Sequence, residues 1–309
     1  MAWQPTSTAP SATGDEREAR RRAILDKVRE IELLTRRLVT TTLAGQYHAV
    51  FKGQGMSFDS VREYQPGDDI RRIDWNVTAR TGDVFVKQFV EERELTVLLV
   101  VDVSASGAFG TQGRSKRELA AEIAAVLAFS AIKNNDRVGL ILFSDRIERF
   151  IPPKKGRAHV LRLVLELLDV APQGRGTRID EACDYLTRIA RKRSVVFFLS
   201  DFLAPDYERA LGVAGRRHDL VPVVVQDPAE RALPDLGLVP LEDAETGQVR
   251  WLDTSSAASR AAFAKHAEAA SRRRDTTFRK HGMEPIPAEV GGEYLPHLIA
   301  YFRRRAARQ

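Results

Sequence analysis

The chain holds one cysteine, Cys183, among 309 residues. A single thiol closes no intramolecular disulfide and completes no zinc-ligand set, which excludes a stapled secreted scaffold and fits a reducing cytoplasm. Cys183 sits at an apolar position of a helical pattern and reads as a core thiol. No apolar run approaches ~20 residues, so no transmembrane helix is expected. The opening stretch MAWQPTSTAPSATGDE lacks the basic-then-apolar order of a signal peptide. Histidine is scarce, at six. His159, His218 and His281 fall in or beside helical patterns with no triad-like context. There is no Gly-x-Ser-x-Gly elbow and no Gly-x-x-x-x-Gly-Lys phosphate loop, and Gly174-Arg175-Gly176 is too short for a dinucleotide fingerprint. The expectation is a cytoplasmic protein that is not an enzyme and takes no small-molecule substrate.

A marked excess of charge of one sign is also missing. Lysine and arginine number 48 against 42 acidic residues, a diffuse net +6. Arginine gathers between Arg17 and Arg22, at Arg272 to Arg274 and between Arg303 and Arg308. Without interleaved aromatics these runs read as solvated helix faces, and no nucleic-acid partner is expected. A nucleic-acid-binding protein using these basic termini remains an alternative, as does contact with an acidic protein surface.

What is present is concentrated in LLVVDVSASGAFG. Leu98 to Val101 form the continuous apolar run of a strand covered on both faces. Directly after it come Asp102, Ser104 and Ser106. One carboxylate and two hydroxyls at a strand's carboxyl end suit a hard divalent cation that wants oxygen and keeps waters. A plainer reading is that Asp102 and Ser104 cap the following turn. The motif resembles the metal-ion-dependent adhesion site of von Willebrand factor A domains. That family's site takes a threonine from a second loop and an aspartate from a third. Thr177, after Gly174-Arg175-Gly176, and Asp201, after the apolar strand Val195–Leu199, match those positions in order. The resemblance implies Mg²⁺, or Mn²⁺ or Ca²⁺, bound directly by Ser104 and Ser106. Thr177 joins directly or through water, and Asp102 and Asp201 hold bound waters. The open position would take an acidic side chain from a partner, and the metal would bind only with that partner present in some cases. A Mg²⁺-dependent hydrolase is the rival reading.

Read in order, residues 1–14 form a tail rich in Pro, Ser, Thr and Ala, expected to be disordered. Residues 15–46 carry a helical pattern with Ile24, Val28, Ile31, Leu34 and Val39 on one stripe. Residues 47–94 are polar and turn-rich, with short strands expected at Phe58–Val61 and Val84–Phe89. From residue 95 to 228 strands and helices alternate, which implies a mostly parallel sheet flanked by helices. Residues 229–309 follow as a hairpin around Glu245-Thr246-Gly247 and two arginine-rich helices. The fold class is α/β, a von Willebrand A (Rossmann-like) sheet behind an N-terminal helix and a small β-subdomain.

That subdomain carries Arg62, Glu63, Tyr64, Asp68, Asp69, Arg71, Arg72, Asp74 and Trp75. Arginine forks paired bidentately with the carboxylates would lock a loose subdomain. A partner-recognition face is the alternative, and Trp75 reads as a core anchor rather than a stacking platform. The words Gly53-Gln54-Gly55-Met56, Val61-Arg62-Glu63-Tyr64, Pro66-Gly67-Asp68-Asp69 and Arg71-Arg72-Ile73-Asp74-Trp75 resemble the bacterial domain of unknown function 58. The likeness continues through Asp136-Arg137-Val138-Gly139, Pro152 to Arg157 and Ser200-Asp201-Phe202. One departure is Gly107, where many members carry methionine. The resemblance implies a MoxR-type AAA+ ATPase as partner, with an adaptor or co-chaperone role toward a client protein.

Overall fold

The computed structural model describes residues 14–38, 44–51, 57–90, 94–111, 113–174, 176–242 and 247–308. The tail expected at residues 1–14 lies almost wholly outside the described residues. The element order begins with α1 (Gly14–Leu38), α2 (Ala44–Val50), β1 (Ser57–Glu63), α3 (Trp75–Thr81) and β2 (Phe85–Val90). It continues with β3 (Thr96–Asp102), α4 (Lys116–Lys133), β4 (Arg137–Phe143), β5 (Ile147–Lys154), α5 (Arg157–Asp169), α6 (Ile179–Ile189) and β6 (Val195–Ser200). The chain closes with α7 (Glu208–Arg217), β7 (Asp219–Gln226), β8 (Leu238–Glu242), β9 (Val249–Asp253), α8 (Ala257–Lys280), β10 (Ile286–Glu289) and α9 (Tyr294–Ala306).

The central sheet has six strands in the order β10-β7-β6-β3-β4-β5. All neighbours run parallel except β5, which folds back antiparallel on β4. This is the expected α/β class, a mostly parallel sheet between helices. The continuous apolar run of β3 is explained by its neighbours. Val97, Leu99 and Val101 point into a core shared with α1, α2, α4, α5 and α9. Leu98 and Val100 point into a second core with α6, α7 and Phe278 of α8. A strand at the centre of such a sandwich has no wet face, so alternation disappears. Cys183 is buried in the second core, where desolvation pushes its thiol pKa up.

Three stretches differ from the sequence expectation, one of them α3, a capped helix inside the segment expected to hold only turns and short strands. Within the stretch expected as one helix over residues 15–46, residues 39–43, Val39 among them, lie outside the described residues. Beyond them α2 runs past the expected end and carries Tyr47 and Val50 into the main core. The edge strand β10 was not anticipated. Its four residues include Pro287, and only parallel pairing with Val223–Gln226 makes them a strand.

Chain order and strand order diverge at β3. The chain leaves β3 for β4 on one side, then returns through α5 and α6 to β6 on the other. Side by side, the carboxyl ends of β3 and β6 form the crevice in which open α/β sheets hold ligands.

Candidate metal centre

Asp102 ends β3, and its side chain organises both flanks of the crevice. Its Oδ1 accepts the Ser104 backbone N–H at 3.0 Å, and its Oδ2 accepts the Ser200 hydroxyl at 2.8 Å. Ser104 Oγ and Ser106 Oγ stand 3.2 Å apart. Ser104 is fully buried and starts a one-turn 3-10 helix, Ala105–Ala108, without capping it through its side chain. The capping alternative therefore holds for Asp102, which closes a local turn on the Ser104 amide, and not for the Ser104 hydroxyl.

Asp201 follows β6 and is also buried. Its Oδ1 accepts the Leu203 N–H at 3.1 Å, and its Oδ2 accepts Lys116 Nζ at 2.9 Å. Lys116 Nζ donates as well to Glu230 Oε1 at 2.6 Å. Asp102, Ser106, Lys116, Ser200 and Asp201 line one small cleft. Burial, and secondarily the nearby Asp201 charge, push the Asp102 carboxyl up to about 6. Burial opposes the Lys116 charge, but Asp201 and Glu230 outweigh it and hold the ammonium above its ordinary pKa. The cleft is thus rich in oxygen donors, and its two carboxylates share it with the cationic side chains of Lys116 and Arg117.

Thr177 is half-buried on the loop before α6. That loop is fastened to the β4–β5 turn. Glu148 Oε1 accepts the N–H groups of Gln173 and Gly174, each at 2.9 Å, and Ser144 O accepts the Arg178 N–H at 2.9 Å. Among the described residues no hydrogen bond joins Thr177 to the other four. Asp102, Ser104, Ser106 and Asp201 are brought together, and the loop that carries Thr177 is held by a different set of bonds.

The donor chemistry fits a hard cation. The cleft offers carboxylate and hydroxyl oxygens and neither thiolate nor imidazole, the set that Mg²⁺ or Mn²⁺ prefers with several waters retained. Among the described residues no three His, Cys, Asp or Glu side chains gather in the manner of a dedicated protein cage. Two participants escaped the sequence reading. Ser200 directly precedes Asp201, and Lys116 opens a helix, where a cation is disfavoured unless carboxylates face it.

The charged subdomain departs from the expected network. Arg62 and Asp68 do pair bidentately, at 2.8 and 2.6 Å, and Arg62 also donates to the Glu63 carbonyl. That pairing, with the Gln65 N–H, holds the Asp68 carboxyl below its usual range. Asp69 and Asp74 turn chiefly to the backbone, Asp74 also standing 3.8 Å from Lys87 Nζ. Asp69 accepts the Arg71 N–H, and Asp74 caps α3 through the N–H groups of Asn76 and Val77. Tyr64 donates its N–H to the Val84 carbonyl. Arg71, Arg72 and Arg80 are exposed and make no ion pair among the described residues. Trp75 is 67% exposed and is not a core anchor. It is the first residue of the seven-residue helix α3, none of whose residues is buried.

Residues 60–274 match the family described as Protein of unknown function DUF58. The uncharacterized protein Rv1480 of Mycobacterium tuberculosis is 34% identical over 289 residues, spanning 91% of this chain and 90% of its own. Among solved structures, an aerotolerance-related membrane protein from Bacteroides fragilis covers 70% of this chain and 100% of its own. Its TM-score is 0.45 and its identity 15%. A von Willebrand factor type A structure from Catenulispora acidiphila covers 72% of this chain and 43% of its own, with TM-score 0.35 and 11% identity. No described helix is long and apolar enough to cross a membrane. On the residues matched and the near full-length mycobacterial relative, this chain belongs to the DUF58 family.

Proposed function

We propose that this protein is a non-enzymatic, cytoplasmic interaction module whose crevice holds a divalent cation and docks a partner through it. Ser104 and Ser106 would ligate the ion, Asp102 and Asp201 would hold its waters and balance its charge, and Thr177 would complete the set. A hard cation there supplies an open coordination position able to accept a carboxylate from another protein. The observation that carries this reading is the oxygen cluster at the strand switch point. Asp102 bridges the loops after β3 and β6, and Lys116 already seats a positive charge on Asp201. Two carboxylates and a few hydroxyls make a weak cage, which a partner's carboxylate would strengthen.

The partner proposed is a MoxR-type AAA+ ATPase, on which the module acts as adaptor or co-chaperone toward a client. The test is co-purification from the protein's own cell lysate, in Mg²⁺ and in EDTA, with wild type and Asp102→Ala. Retention of the ATPase only by wild type in Mg²⁺ is expected. Equal recovery in all four arms overturns the reading.

A further inference from the structure

We infer that Lys116 is a tethered counter-ion that occupies the cation seat and must retreat to Glu230 before a divalent ion can bind. This rests on the metal reading above and adds the residue that regulates it. Lys116 is the first residue of α4, after the Ser115 cap, and is 4% exposed. A cation at a helix N-terminus faces the positive end of the helix dipole. Burial at that end removes hydration as well. The ammonium is there because two carboxylates receive it, Asp201 at 2.9 Å and Glu230 at 2.6 Å.

The two carboxylates are not equivalent. Asp201 belongs to the cleft shared with Asp102 and Ser106. Glu230 lies outside it, in the one-turn 3-10 helix Pro228–Glu230, where its other oxygen accepts the Asp227 N–H at 3.1 Å. A divalent ion beside Asp201 would repel an ammonium a few ångströms away, the more strongly for being out of bulk water. Lys116 does not need a new partner to move, because Glu230 already holds it. Asp227 in turn accepts the N–H and hydroxyl of Thr111, at 2.9 and 2.7 Å. Cation entry at Asp201 is thereby linked to the loop between the Ser104–Ser106 turn and α4. By reciprocity, anything that draws Lys116 toward Glu230 tightens cation binding.

The test is Mn²⁺ binding to the full chain, with free Mn²⁺ read by electron paramagnetic resonance. Lys116→Met keeps the buried stem and removes the charge, and should bind Mn²⁺ about ten-fold or more tightly than wild type. Glu230→Gln keeps an acceptor for the Asp227 N–H but weakens the refuge, and should bind about three-fold or more weakly. Arg114→Gln deletes a nearby charge that pairs with Glu122 instead, and should stay within about two-fold of wild type. Unchanged or weaker binding by Lys116→Met, with wild type binding normally, overturns the tethered counter-ion alone. Should Lys116→Met fail to fold, unchanged or tighter binding by Glu230→Gln overturns it. No binding by any variant overturns the metal reading, and this inference with it.

Discussion

The Tyr47 hydroxyl donates to Asp136 Oδ2 at 3.0 Å, joining α2 to the turn that feeds β4. The other oxygen, Asp136 Oδ1, accepts the Leu95 N–H at 2.8 Å, where β3 begins. One carboxylate, 2% exposed, therefore ties three segments that lie far apart in sequence. Burial pushes its pKa up to about 6, against the two hydrogen bonds that favour its ionised form.

That shift has a definite sign. A folded pKa above the unfolded value of about 3.9 means the folded state holds the proton more tightly. The resulting stabilisation is present below about pH 4 and is lost as pH rises through 6. Asp136→Asn removes the titration. Relative to wild type, its unfolding free energy should improve by about 2 kcal/mol between pH 4 and pH 7 in urea titrations. A difference independent of pH would count against burial as the dominant cause.

Two aromatic residues, Phe51 and Trp75, separate the core from the surface of the N-terminal half. Phe51 is 5% exposed, meets Phe197 and Phe302 edge-on with centroids 5.9 Å from each, and lies 4.9 Å from the Arg305 guanidinium. Phe51→Ala should cost about 3–5 kcal/mol in denaturant unfolding. Trp75→Ala should cost under about 0.5 kcal/mol, because 67% of the residue is already in water. A large loss in the second variant would mean that Trp75 is covered in solution.

The same contrast shows what the sequence could reveal. The continuous run of β3 and the strand-and-helix alternation after it are local signals, so the sheet and its order of elements were legible. The placing of Asp102 and Asp201 at the carboxyl ends of apolar strands was legible too, but their grouping with Ser104 and Ser106 rested on the resemblance to the von Willebrand A site. Trp75 misled because a tryptophan is more often a core anchor than a surface ring. Its burial depended on packing that α3, which has no buried residue, does not supply. The carboxylates of that segment misled for a related reason. Asp69 and Asp74 are two or three residues from unsatisfied helix amides, and those near neighbours win over arginines that would have to be held in place. Lys116 and Glu230 stand 114 positions apart, and nothing local in either announces the other. Strand β10 is legible only from its partner β7.

Glu148 fixes the loop that carries Thr177. Its Oε1 accepts the Ser144 hydroxyl at 2.5 Å together with the N–H groups of Gln173 and Gly174. Burial pushes this carboxyl up, but those three bonds prevail and hold it below its ordinary value. The loop is also pressed closely to the turn. A Cβ built on Gly174 would stand 2.1 Å from Asp145 Oδ1 and 2.4 Å from Ser144 Oγ. Glu148→Ala leaves two backbone donors without their acceptor and should cost about 1–3 kcal/mol of stability. It should also speed amide exchange at Gln173 and Gly174 relative to Leu99, which lies deep in β3. Under the metal reading, freeing this loop withdraws Thr177, so Mn²⁺ affinity should fall with no change at Asp102 or Asp201. Glu148→Gln retains a carbonyl acceptor and should fall between wild type and Glu148→Ala on all three measurements. Weaker Mn²⁺ binding without faster exchange would locate the effect in the lost charge rather than in the loop. Faster exchange with unchanged Mn²⁺ binding would remove Thr177 from the ligand set.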